Sequence, residues 1–135
     1  MLTLEIVTPE GKAYTKEVED VVLPTAEGEI DILPGHQPLI TVIEAGEVQA
    51  GTGSGREFLA VDKGFARVLG DAVSVLTEGA IDVAEIDLSQ VEEAQKRAEE
   101  ALERAKNEKM DPAEIEKLEA VARFAIAQQL VKKRR

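Results

Sequence analysis

Few side chains in this sequence are equipped for covalent chemistry: one histidine (His36), three serines (Ser54, Ser74, Ser89) and no cysteine in 135 residues. Without cysteine there is no disulfide, thiolate nucleophile or cysteine-held metal. His36 stands in Leu33-Pro-Gly-His-Gln-Pro-Leu39, where two prolines and a glycine fix a rigid, exposed turn. A general base needs a nucleophile within reach and a group that orients it. The local sequence offers neither, so His36 reads as a structural or recognition residue. Gly51-Thr-Gly-Ser-Gly55 resembles a phosphate loop only in its glycines. A P-loop needs Lys-Ser/Thr after its last glycine, and a dinucleotide fold needs a helix there. Arg56-Glu57-Phe58 opens a strand instead, and the glycines read as a hairpin loop.

The charged residues suggest contacts rather than catalysis. Glu27, Glu29 and Asp31 are spaced by two, so a strand would throw them to one face and Ile30 and Ile32 to the other. Such a row of oxygens could hold a hard cation, but no EF-hand-like loop accompanies it, and we assign no metal site. A solvated face and a face that meets a partner both remain open. Lys132-Lys133-Arg134-Arg135 ends the chain with four cations. They complement a helix C-terminus by roughly 0.3–1 kcal/mol each, or they contact an acidic protein surface or lipid headgroups. No catalytic residue is assigned, and the chain is not expected to be an enzyme on its own.

Two kinds of segment must position these residues. Residues 1–87 carry 17 acidic and 5 basic side chains, residues 88–135 carry 10 and 11, and the whole chain is −11. So acidic a body argues against binding the phosphate backbone of nucleic acids. All ten glycines lie between Gly11 and Gly79. Among them run short β-rich stretches: 2–8, 18–23, 29–33, 39–43, 58–61, 65–69 and 72–76. Short strands between turn signals predict an antiparallel sandwich over about residues 1–84, without parallel βαβ units. No apolar run approaches the ~20 residues of a membrane span. Met1 to Glu5 lacks the basic and apolar regions of a signal peptide. Cytosolic-type solubility is expected.

From Leu88 the period changes. Leu88, Val91, Ala94, Ala98, Ala101, Leu102 and Ala105 follow helical spacing, with Asp87 or Ser89 as the cap. Asn107 to Met110 is expected to break the pattern. Asp111-Pro112-Ala113-Glu114 is a helix start, and Ile115, Leu118, Val121, Ala122, Ala125, Ile126 and Gln129 carry the next face. The predicted fold is therefore α+β: an N-terminal antiparallel β-sandwich, then an antiparallel α-helical hairpin over 88–135. Alanine dominates the hairpin's apolar faces, and each Ala in place of Leu forgoes roughly 2 kcal/mol of burial. A weakly held, detachable hairpin and a permanently packed one are both compatible with this.

The order of features resembles the epsilon subunit of F-type ATP synthase. The resemblance spans nearly the whole chain and rests on Glu27-Gly-Glu-Ile-Asp-Ile-Leu-Pro-Gly-His-Gln-Pro-Leu39, Lys63-Gly-Phe-Ala-Arg67, Ala72-Val-Ser-Val-Leu-Thr77 and the alanine-rich hairpin. It implies a non-catalytic rotor subunit of a proton-translocating complex. It would be peripheral, at the cytoplasmic face of a bacterial inner membrane, with membrane association only through the complex. Its partners would be the gamma subunit, the c-ring and the catalytic alpha/beta head. By the same resemblance Glu29, Ile30, Asp31 and His36 face the ring. Arg123, Lys132, Lys133, Arg134 and Arg135 belong to the partner-facing side of a hairpin that blocks hydrolysis when extended. Asp31 stands where many relatives carry glycine, which adds charge to the ring-facing row. Some relatives hold ATP through Ile/Leu-Asp-x-x-Arg-Ala. Here Ile86 and Asp87 match, while Gln90-Val91 replaces Arg-Ala and cannot clamp phosphate; no cofactor is expected. The rival reading is a generic β-sandwich interaction module with a helical tail.

Overall fold

The computed structural model describes residues 1–109 and 111–134. Ten strands come first: β1 (Leu2–Thr8), β2 (Gly11–Val18), β3 (Asp20–Thr25), β4 (Gly28–Ile32), β5 (Leu39–Ile43), β6 (Gly46–Thr52), β7 (Gly55–Val61), β8 (Gly64–Leu69), β9 (Ala72–Thr77) and β10 (Ala80–Asp82). A 3₁₀ turn (Val83–Glu85) leads to α1 (Leu88–Glu108) and α2 (Pro112–Arg134). The strands run in the order β10-β7-β6-β3-β5-β8-β9-β1-β2, with β4 on β3. β3 and β5 share a single pair, Thr25 with Ile43. The sheet folds over at that junction, and its two layers face each other across one core.

Period-two patterning drives this closure. Leu2, Leu4 and Ile6 are fully buried while Thr3 is exposed, and Val73 and Val75 repeat the pattern on β9. The pairing is antiparallel with one exception: β1 lies parallel to β9, Leu4 opposite Val73. The stretch read as one run over 18–23 is two strands, interrupted at Glu19, whose amide donates to the Gly51 carbonyl. β2 and β6 were not among the sequence-predicted runs. β2 is mostly exposed and polar, so its burial leaves almost no hydrophobic trace.

At the first helix Asp87 is the cap, accepting from the amides of Ser89 and Gln90. Helix α1 ends within the expected break over 107–110. It runs to Glu108 and stops at Lys109, which takes the left-handed conformation (φ 54°) usual at this position. Asp111 accepts from the Ala113 amide at 2.9 Å and Pro112 opens α2, as expected. The two helices pack through Ala98, Ala105, Ala122 and Ala125. Val121 and Ile126, expected on the buried face, are exposed instead. A second line, Phe124, Ala127 and Val131, turns toward the β-sandwich.

Candidate functional site

Three surfaces gather the residues that could meet something else. The first is β4 with the turn that follows. Glu29 and Asp31 are exposed there, while Ile30 leans against the core, partly buried, the alternation that their spacing by two predicts. Glu27 falls in the turn before β4 rather than on the strand. The Pro34-Gly35 turn closes through the His36 amide donating to the Leu33 carbonyl at 3.1 Å, with Gly35 at φ 84°. The ring Nδ1 of His36 sits 2.7 Å from the Gln37 carbonyl oxygen, which fixes the imidazole against its own turn. Among the described residues no nucleophile pairs with it. Among the described residues no His/Asp/Glu group of three converges as metal ligands would.

Asp31 is tied to a neighbouring ion pair. Arg56 grips Asp20 with two hydrogen bonds of 3.1 Å, and this guanidinium holds the Asp20 carboxyl below the usual carboxylate range. Asp31 is pushed upward, first by lost hydration and then by the Asp20 carboxylate. The native protein therefore holds the Asp31 proton more readily than the unfolded chain does. Ionised Asp31 costs stability at neutral pH, and the cost vanishes at acid pH, where both states are protonated. Asp31 is exposed and solvent screens its neighbours, so Asp31→Asn should stabilise the protein only slightly at pH 7, by ~0.3 kcal/mol at most, and by nothing near pH 3. Urea unfolding at the two pH values checks this.

The second surface is the outward face of β5, β8 and β9. Ile40 is 74% exposed, and Val42, Phe65, Leu69 and Leu76 are each more than half exposed. Val42, Phe65 and Leu76 stand in register across the three strands, so the patch is continuous. Sequence reasoning missed it. The available signal was Leu39-Ile-Thr-Val-Ile43, a near-continuous apolar run that reads as a strand covered on both faces. Contiguous apolar surface of this kind marks an interaction site.

The third surface is the seam between hairpin and sandwich. Ala60, Val83, Ile86 and Val131 form its buried centre, with Phe58 and Phe124 against it. Phe124 lies so close to Gly79 that a Cβ there would stand 2.8 Å from the ring. Arg123 donates to the buried carboxylate of Asp62 at 2.8 and 3.1 Å. Lys132 donates to the Val83 carbonyl at 3.0 Å. Thus two cations expected to face partners are engaged within the chain in this conformation. Lys133 and Arg134 are exposed, and Arg135 lies outside the described residues. Ile86 and Asp87 have structural work, one in the seam and the other as the α1 cap. A cleft of about 590 Å³ opens beside them, where Glu85, Asp87 and Glu93 confront Arg97.

A β-sandwich with a turn-borne histidine, an uncovered apolar face and a docked helical hairpin defines a class of protein-binding subunit, with no catalytic constellation among the described residues. The family described as ATP synthase, Delta/Epsilon chain, beta-sandwich domain matches residues 1–83. The ATP synthase epsilon chain of Halalkalibacterium halodurans is 38% identical over 128 residues, covering 93% of this chain and 96% of that one. That of Dehalococcoides mccartyi is 45% identical over 101 residues, 75% of this chain and 72% of the relative. A chain in the Euglena gracilis mitochondrial ATP synthase structure (OSCP/F1/c-ring) shares the fold, with a TM-score of 0.68 at 22% identity over 96% of this chain and 79% of that one. The chain belongs to the ATP synthase epsilon chain family, whose members are non-catalytic rotor-stalk subunits. A generic interaction module with a helical tail is not favoured by a match this long. Among the described residues no helix is long and apolar enough to cross a membrane.

Proposed function

We propose that this chain couples rotation of the c-ring to ATP synthesis as a central-stalk subunit and restrains ATP hydrolysis through its hairpin. The β-sandwich docks on gamma, the Glu29–His36 turn faces the ring, and the complex keeps the chain peripheral at the cytoplasmic face of a bacterial inner membrane. Family membership along nearly the whole chain carries this reading. The uncovered apolar face of β5, β8 and β9 supports the docking, because a surface so apolar needs a cover. Helix α2 supports a second seat for the hairpin. One of its faces is used by α1 and another by the sandwich, yet Ile126 and Leu130 remain exposed. From Ala120 to Val131 only Arg123, Gln128 and Gln129 are polar, and the docked state leaves the large apolar side chains Ile126 and Leu130 in water. Regulatory ATP has little support: the cleft beside Asp87 offers a phosphate one cation, Arg97, among three carboxylates.

Co-purification from membranes tests the assignment. The full-length chain should carry gamma and the catalytic head with it, and failure to do so overturns the reading. Replacing Glu29 and His36 together with Ala should weaken ATP-driven ion pumping severalfold while leaving the unfolding midpoint within about 0.5 kcal/mol of the parent. Unchanged pumping would place the ring contact elsewhere.

A further inference from the structure

The hairpin's seat on the sandwich has a small buried centre, with Phe58, Ile81, Val91 and Phe124 packed against it. The four residues buried at its centre include no leucine or aromatic, and Phe124 reaches Gly79 only because that position lacks a Cβ. Within this seam lies a feature of another kind. Asp62 follows β7 directly, and its side chain is 3% exposed. The β-domain aims it: the Asp62 amide donates to the Gly79 carbonyl, and its Oδ1 accepts from the Lys63 amide at 2.8 Å. Arg123 completes the site from α2, Nε to Oδ1 at 2.8 Å and a terminal nitrogen to Oδ2 at 3.1 Å. Residues 62 and 123 belong to different parts of the chain, and nothing in their local sequences announces the pairing.

We propose that the Asp62–Arg123 pair is the latch that docks the hairpin in one register on the β-sandwich and sets how often it leaves. The idea rests on the mobile hairpin of the proposed function. Apolar contact is non-directional; a two-pronged guanidinium on a preset carboxylate admits one position. The pair also makes docking conditional. When the hairpin leaves, both ions return to water, so breaking the pair costs little. When the hairpin docks without Arg123, it covers a carboxylate that has lost its counter-charge and keeps the Lys63 amide, which is unfavourable. Glu78 and Glu119 lie near the guanidinium and reinforce its positive charge, and Lys63, Glu116 and Lys117 line the adjoining cleft. Lys132 on the Val83 carbonyl is a second, weaker clasp, since its acceptor is uncharged and already binds the Ile86 amide.

The test uses the full-length chain, which has no native cysteine, with spin labels at Glu10→Cys and Glu103→Cys on exposed positions of sandwich and hairpin. Dipolar distances then report docked and undocked populations. Arg123→Gln should raise the undocked-to-docked ratio about tenfold, a shift of about 1.4 kcal/mol. Arg123→Lys should fall between, because an ammonium makes a single contact where the guanidinium makes two. Asp62→Asn should also loosen the hairpin, but less, because its amide oxygen still accepts from Lys63 and Arg123. Lys117→Gln, on the same helix, should change nothing. Arg123 lies on the hairpin, so its variants leave the sandwich core intact. An unchanged distance distribution in Arg123→Gln and Asp62→Asn overturns the latch. Hydrolysis by the reconstituted head separates the two readings. If Arg123→Gln opens the hairpin and inhibition stays the same, the latch stands and the regulatory reading falls. If truncation relieves inhibition while Arg123→Gln leaves the distances unmoved, the regulation stands and the latch falls.

Discussion

A chain ending at Asp87 is expected to support ATP synthesis near the full-length level and to lose its restraint on ATP hydrolysis. The sandwich core contains residues from the strands and none from either helix. The hairpin therefore leaves without opening that core. What the truncation exposes is the seam, chiefly Ala60, Val83 and Ile86. Losing that cover should cost about 1 kcal/mol, or about 4–8 °C in Tm for a domain of this size. The docking surfaces of the sandwich remain, so coupling should survive. Neutralising the basic tail should give a milder effect, but its members are not equivalent. Lys133 and Arg134 are exposed, and each pair they form is worth at most about 1 kcal/mol and fades with salt. Lys132 holds Val83 in the docked state, so its removal weakens docking as well as any extended contact. Lys133→Gln with Arg134→Gln should therefore relieve inhibition at low salt, and adding Lys132→Gln should partly cancel that relief. Hydrolysis measured with these chains at low and high ionic strength decides it. Equal inhibition by full-length and truncated chains would make the hairpin a passive strut.

Where the sequence was legible, local rules and tertiary structure agreed. Leu2, Leu4 and Ile6 alternate in the sequence and are buried in the fold; Asp111-Pro112 announces a helix and starts one. Gly53 and Ser54 turn the β6–β7 hairpin, where the Thr52 hydroxyl donates to the Gly55 carbonyl at 2.8 Å. Illegible features depended on distance along the chain. The parallel pairing of β1 with β9 joins residues about seventy apart, and no local pattern encodes it. The face of α2 was misjudged because that helix is apolar on several sides; only its neighbours decide that Phe124, Ala127 and Val131 face inward while Ile126 and Leu130 face out. Arg123 reads in the sequence as a partner-facing residue, and its carboxylate partner, sixty-one positions away, leaves no mark on its surroundings. In the sequence Asp31 is one more charge in a row. In the fold it adjoins Asp20 and Arg56, which come from two other strands.

The outward face of β5, β8 and β9 should carry the other large effect. Phe65→Asp combined with Leu76→Asp is expected to weaken binding to gamma at least thirtyfold, roughly 2 kcal/mol or more. The two positions are paired across β8 and β9 and are 58% and 54% exposed, so neither substitution opens the core. Stability of the free chain should shift by no more than about 0.5 kcal/mol per site. The loss on binding has two sources. Burying a large apolar side chain stabilises by about 1.5–3 kcal/mol, and the variant forgoes this twice. Each new carboxylate must also shed its water against an apolar partner that offers it no counter-charge. The neighbouring Arg67 stands between Ile40 and Ser74 on the same face and could soften the penalty for one carboxylate but not both. Free in solution, the double variant should be less prone to self-association than the parent, because an exposed patch has been broken. Affinity for purified gamma, measured beside the unfolding midpoint of the free chain, separates lost docking from lost folding. An unchanged affinity would mean that gamma covers another face, and the apolar rows of β5, β8 and β9 would then need a different partner.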